Sequence, residues 1–198
     1  MREASLEEVK NMAANARENI WAAARDYGRE PKIYLHWTAG HYGSKFDDYH
    51  VNIDAEGRFW VEHDFDDVIP HTWRRNSGAV GLSMDCCAFA TSQDLGDEPP
   101  TTAQIDAMAQ AIAVIADALW VTIDKQHVLT HGEAADNEDG IAPHEEYGCK
   151  TTCERWDLEY LGTEESPSFN PYDTTGKRGG DVLRGKALWY KNEWEKGK

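Results

Sequence analysis

After Pro99-Pro100 the chain carries Ile105, Met108, Ala109, Ile112, Ile115, Ala116 and Leu119 at helical spacing, with Thr101 or Thr102 placed to cap the start. A stripe that broad must be covered, so this helix packs on a sheet as part of the core. The sheet is foreshadowed by short runs of β-forming residues at 33–37, 49–54, 58–63, 79–87 and 127–131. Ala55-Glu56-Gly57 supplies a hairpin turn between the second and third of these. A first helix is predicted over 5–27. Ser5 and Glu8 have capping-box spacing, Val9, Met12, Ala13, Ala16, Ile20 and Ala23 keep helical phase, and Gly28 and Pro31 end it. Helices and strands that alternate irregularly predict an α/β fold: one domain with a mixed central sheet flanked by helices. The length of 198 residues suits a single domain. Its expected parts are an N-terminal helical segment at 1–32, a core at 33–161 and a C-terminal extension at 162–198. The extension is rich in Ser, Pro, Asp, Thr and Gly and is expected to be extended, with a short helix over 182–194.

Lys and Arg number 20 against 36 Asp and Glu, a net charge of −16. Such a chain is repelled by phosphate backbones and anionic lipid, which argues against nucleic acid as a partner. No apolar run is long enough to span a bilayer, so no membrane insertion is expected. The first residues lack the basic, apolar and small-residue pattern of a signal peptide, which predicts synthesis and folding in the cytoplasm. Cys86 and Cys87 read as buried thiols. Cys149 and Cys153 lie in a polar loop and fit a disulfide, a metal pair or neither.

Three metal-capable side chains fall at strand ends or in the loops after them: His36, His131 and Asp157. Two imidazoles and a carboxylate with an open fourth position are the ligand set of a catalytic zinc, which activates water and polarises a carbonyl. A lone strand-end histidine is more often structural than a ligand, and with 8 histidines spacing does not single out this trio.

The segments around these residues resemble the type 2 N-acetylmuramoyl-L-alanine amidases, a family that includes phage endolysins, a cytosolic bacterial muropeptide amidase and animal peptidoglycan recognition proteins. The resemblance runs from about residue 33 to 161. In chain order it is carried by Ile33-Tyr34-Leu35-His36-Trp37-Thr38-Ala39, by Tyr49-His50-Val51-Asn52-Ile53-Asp54 with Gly57, and by Ala79-Val80-Gly81-Leu82. Thr101-Thr102-Ala103-Gln104, Thr130-His131-Gly132-Glu133-Ala134-Ala135 and Arg155-Trp156-Asp157-Leu158 follow. The last motif and the tail 179–187 resemble a phage endolysin subgroup.

The resemblance implies one Zn2+ ion held by His36, His131 and Asp157. It implies hydrolysis of the amide bond between N-acetylmuramic acid and L-alanine in peptidoglycan. Tyr49 matches a tyrosine near the metal water, and Arg155 a cation that stabilises the oxyanion. Some relatives carry a glutamate where this chain has Ser83, so the proton-transfer residue stays open among Tyr49, Glu133 and Asp85. Trp37, His71 and Trp73 flank the expected groove as substrate contacts. The expected setting is a monomeric phage or prophage endolysin that accumulates in the cytoplasm and acts on the cell wall. The alternatives are a cytosolic muropeptide-recycling amidase, a non-catalytic peptidoglycan-binding module, a phage protein that grips a protein partner, and an unrelated zinc site on Cys149, Cys153 and His144.

Overall fold

The structure is a computed structural model that describes residues 1–141 and 147–197. His144 lies outside the described residues. Among them, six strands form one sheet in the order β1-β4-β3-β5-β2-β6. The strands are β1 (Arg2–Ala4), β2 (Lys32–Trp37), β3 (Val51–Ile53), β4 (Phe59–Val61), β5 (Ala79–Met84) and β6 (Val128–Thr130). β1, β4 and β3 pair antiparallel; β3, β5, β2 and β6 pair parallel. The sheet is therefore mixed, as expected. β1 had no sequence signature: three residues form a strand only because β4 offers a free edge.

The helices start where local chemistry says they should. In α1 (Leu6–Arg25) the Ser5 hydroxyl accepts from the Glu8 amide at 3.2 Å, and the Glu8 carboxylate accepts from the Ser5 amide at 2.8 Å. In α2 (Thr102–Leu119) Thr101 and Gln104 form the same box. Gln104 also donates to the carbonyls of Ile53 and Asp85 at 3.0 and 3.1 Å, which pins the start of α2 to the ends of β3 and β5. Ile105, Met108, Ile112, Ile115 and Leu119 are buried, each contributing about 1.5–3 kcal/mol by leaving water. α1 packs along α2 through Val9, Ala13, Ala16 and Ile20.

The chain does not continue straight from β6 as a strand. Thr130 caps a short helix, α3 (His131–Ala135), with Glu133 at its third position. The C-terminal part is also more ordered than its composition suggests. α4 (Gly179–Lys196) begins at a glycine pair and packs against α2 through Leu183 and Ala187. No helix of the described residues is long and apolar enough to cross a membrane.

Alternation along the strands divides the sheet into two faces. Ile33, Leu35, Val51, Ile53, Val80, Leu82 and Met84 join the core with α1 and α2. Tyr34, His36, Asn52, Gly81 and Ser83 point the other way, beneath loops, and this face carries the candidate site. The site opens at the carboxyl ends of parallel strands, where α/β sheets form their crevices.

Candidate metal centre

His36 stands near the end of β2, His131 is the first residue of α3, and Asp157 lies in the turn after a short bridge between Gly148 and Arg155. One ligand atom from each falls within 4.8 Å of the others, the one such group found among the described residues. Asp157 Oδ2 lies 3.5 Å from His36 Nδ1 and 3.5 Å from His131 Nδ1. Zinc bonds of about 2.0–2.2 Å in a tetrahedron place ligand atoms about 3.3–3.6 Å apart, and the two separations of Asp157 from the histidines match that spacing. His36 Nδ1 is buried and has no hydrogen-bond partner, a vacancy a cation would satisfy.

The rest of the His36 ring is fixed. Its Nε2 lies 3.3 Å from Thr72 Oγ1, which in turn lies 2.9 Å from His71 Nδ1. The contact with Thr72 orients Nδ1 toward Asp157. Behind His36, His71 and His50 pack edge-on in turn, with ring centroids 5.4 Å and then 5.7 Å apart. Burial lowers His36 to about 4 and His50 to about 4, and holds His71 well below the ordinary histidine range. All three imidazoles are therefore neutral at pH 7, the state in which a histidine can ligate. Asp157 is ionised: burial pushes its carboxyl up, but the facing His131 and His36 outweigh this and lower it.

The trio opens onto a groove with two lobes. One, of about 280 Å³, is lined by Trp37, Tyr49, His131, Trp156 and Asp157. The other, of about 370 Å³, is lined by Thr72, Trp73, Arg74, His131 and Tyr147. Glu154 and Arg155 line both. The Arg155 side chain is 45% exposed, and its polar contacts are long ones to neighbouring Glu154 at 3.3 and 3.4 Å.

The residues expected at the site divide clearly. Tyr49 packs on His36 at 5.1 Å between centroids. Burial, then the charge of Asp157, raises its phenol, so Tyr49 is an O–H donor and not a base. Glu133 does not face His131. Because α3 starts at His131, two residues turn the side chain about 200° around the helix. Its carboxylate accepts from Thr130 N and Arg184 instead. Asp85 is fully buried beside Lys45, at 4.0 Å, and lines neither lobe.

Trp37 is buried edge-on against Trp156 at 4.8 Å and forms the floor of the first lobe. Trp73 is half exposed, with Arg74 over its ring at 4.4 Å. His71 is 6% exposed and packs behind His36, under Gly81, and it also lines the second lobe. The Cys149 thiol donates to the Arg155 carbonyl at 3.4 Å, and burial raises it, which keeps it a thiol. Sequence patterns missed Thr72, whose only cue was its place beside His71, and Glu154, for which no cue existed.

No match is found among curated proteins. Among solved structures the chain is similar to the endolysin N-acetylmuramoyl-L-alanine amidase LysCS from Clostridium intestinale, at 16% identity over 54% of this chain and 72% of that one, with a TM-score of 0.42. It is also similar to Drosophila PGRP-LB, at 17% identity over 75% of this chain and 87% of that one, with a TM-score of 0.42. The family model for N-acetylmuramoyl-L-alanine amidase matches residues 13–154, well over half the chain, from within α1 to the loop before Asp157, and the protein belongs to that family.

Proposed function

We propose that this amidase is zinc-dependent and cleaves the bond between the lactyl carbonyl of N-acetylmuramic acid and L-alanine. One ion is held by His36, His131 and Asp157. The observation that carries this reading is the convergence of three donors within 4.8 Å, with a buried, unbonded His36 Nδ1 among them, at the centre of a two-lobed groove. A zinc ion bound there supplies Lewis acidity, which polarises the carbonyl and makes water nucleophilic at neutral pH.

The chain's own residues do the rest. Arg155, at the junction of the lobes, holds the carbonyl oxygen as negative charge develops on it. Tyr49, protonated, donates a hydrogen bond toward the same atoms. Glu154 is the carboxylate lining both lobes without a buried partner. It takes the proton from the attacking water and returns it to the alanine nitrogen as the C–N bond breaks. Trp73 offers a half-exposed face to the substrate, while Trp37 shapes the floor. The complete donor set favours an enzyme over a binding module.

The resemblance of Arg155-Trp156-Asp157-Leu158 and of 179–187 to phage endolysins supports a monomeric lysis enzyme. Mass spectrometry of digested peptidoglycan, with and without a zinc chelator, tests the reading. Stem peptides beginning with L-alanine are expected, and chelation should stop their release. Stems that stay attached to sugar would end the amide-cleavage reading. Release that survives chelation would end the zinc reading alone.

A further inference from the structure

The segment beyond the family match carries two buried arginines that the proposed chemistry does not use. Arg178, just before α4, is 3% exposed, and Arg184, within α4, is 5% exposed. Each grips a glutamate that is 1% exposed. Arg178 donates Nε and Nη2 to Glu159 at 3.1 and 2.8 Å. Arg184 donates Nη1 and Nη2 to Glu133 at 2.7 and 2.8 Å. Such two-point forks fix direction as well as distance.

The two glutamates bear the same relation to the candidate ligands. Glu133 lies two residues after His131, and Glu159 two residues after Asp157. Glu133 also accepts from the Thr130 amide at 3.0 Å, so its fork holds the turn that begins with His131. The Glu159 amide donates to the Trp156 carbonyl at 3.1 Å, closing the turn over Asp157, and the Glu159 carbonyl accepts from Gly179 N at 3.1 Å. The three segments touch with no room to spare. A Cβ at Gly132 would lie 2.5 Å from Glu159 Oε1, and one at Gly180 would lie 2.7 Å from Glu133 Oε2.

The geometry points to Arg178 and Arg184 as positioning residues that set the spacing between His131 and Asp157, which makes the C-terminal helix a wall of the metal centre. This rests on the zinc reading above. With the arginines gone, each glutamate would be left buried without its two-point partner, and α3 and the Asp157 turn would lose their tie to α4. Each fork cancels one charge and ties its segment to the same rigid helix. Arg178 extends the tie with a third bond, from Nη1 to Glu138 at 2.8 Å.

The test uses full-length protein and three variants. E133Q/R184M removes the Arg184–Glu133 fork, with the Arg184–Asp181 and Lys125–Glu133 contacts, while leaving a glutamine able to complete the helix cap, as Gln104 does in α2. R178K keeps the charge and loses the fork. K186M breaks the 3.5 Å contact between α4 and Asp106 of α2, which involves neither fork, and serves as the control. Zinc affinity is read by competition with a chromophoric chelator, ligand geometry by the visible spectrum of bound Co2+, and folding by thermal unfolding of the metal-free protein. E133Q/R184M and R178K are expected to bind zinc about 10- to 100-fold more weakly, with altered cobalt bands, well below their unfolding temperatures. K186M is expected to match wild type in both. Folded variants with wild-type affinity and spectrum would overturn the inference. If E133Q/R184M does not fold, R178K decides alone. Wild-type protein that binds no zinc would overturn the metal reading and this inference with it, an outcome distinct from equal binding by all four.

Discussion

On one face of the sheet Ile33, Leu35, Val51, Ile53, Val80 and Leu82 meet α1 and α2; on the other, the same strands turn Tyr34, His36, Asn52, Gly81 and Ser83 toward the groove loops. Both faces are buried, but by different rules. The first asks for volume and apolarity, and such cores tolerate exchange among hydrophobic residues. The second is polar, so its atoms need named partners. His50 accepts from Gly81 N and donates to the Asp67 carbonyl, both at 3.0 Å. The Asn52 amide bonds both backbone atoms of Phe46. His36 Nδ1, His71 Nε2, Ser83 Oγ and the Asp85 carboxylate break this rule, and the first of them lies at the candidate metal centre. Stability is spread over the helical face; function is concentrated in a few atoms of the other.

The sharpest way to break that contrast is His131→Ala. Its loss removes one of three donors and is expected to lower stem-peptide release at least 1000-fold, the order expected when a catalytic group is removed. The metal-free protein should unfold within a few degrees of wild type. Retained activity would remove the trio from the mechanism. Ile112→Ala probes the opposite face. It deletes fully buried volume beside the sheet and is expected to cost about 2–5 kcal/mol in denaturant unfolding. Activity per folded molecule at low temperature should not change. A selective loss of activity would mean that the helical face tunes the site.

What the sequence made legible follows the same division. α1, α2 and their caps were readable because Ser5-Glu8 and Thr101-Gln104 act within one turn. The convergence of His36, His131 and Asp157 was legible through the motifs around them. Glu133, one of the open proton-transfer candidates, is turned away from His131, and the capping-box spacing of Thr130-His131-Gly132-Glu133 points to the helix at His131 that turns it. The strand pattern of 127–131 masked that cue. The start of α4 was missed because Gly179-Gly180 reads as a turn; those glycines stand there because neighbouring segments approach too closely for a side chain. Partnerships such as Arg184 with Glu133 are set by tertiary packing and have no local pattern.

Arg155→Met separates the groove from the metal. Arg155 holds none of the three donor atoms, so zinc affinity should stay at the wild-type value. Loss of the cation at the junction of the lobes is expected to lower kcat about 100-fold, the scale of removing one oxyanion donor. KM should change less than kcat. A rise in KM alone, with kcat kept, would recast Arg155 as a binding residue. Glu154→Gln should lower kcat in the same direction through proton transfer.

Asp85 gives the smallest effect and the most direct test of polar burial. Both its oxygens lack hydrogen bonds, and Lys45 Nζ stands 4.0 Å away. Burial pushes the carboxyl up to about 7; Lys45 pulls it down and Asp54 adds to the rise. In the unfolded chain it titrates near about 3.9. Between those values the native protein keeps a proton that the unfolded chain has lost. Stability from this group is therefore full below about pH 4 and lost as pH rises through about 7. Asp85→Asn stays neutral throughout. It is expected to melt about 2–4 °C above wild type near pH 8 and to lose that advantage near pH 4, as measured by thermal unfolding at both values. Because Asp85 lines neither lobe, kcat should hold. A parallel pH slope in the two proteins would place the unpaired charge elsewhere. A collapse of kcat with stability intact would return Asp85 to the proton-transfer role that Ser83 leaves open, and would carry catalysis deeper into the polar face than the groove.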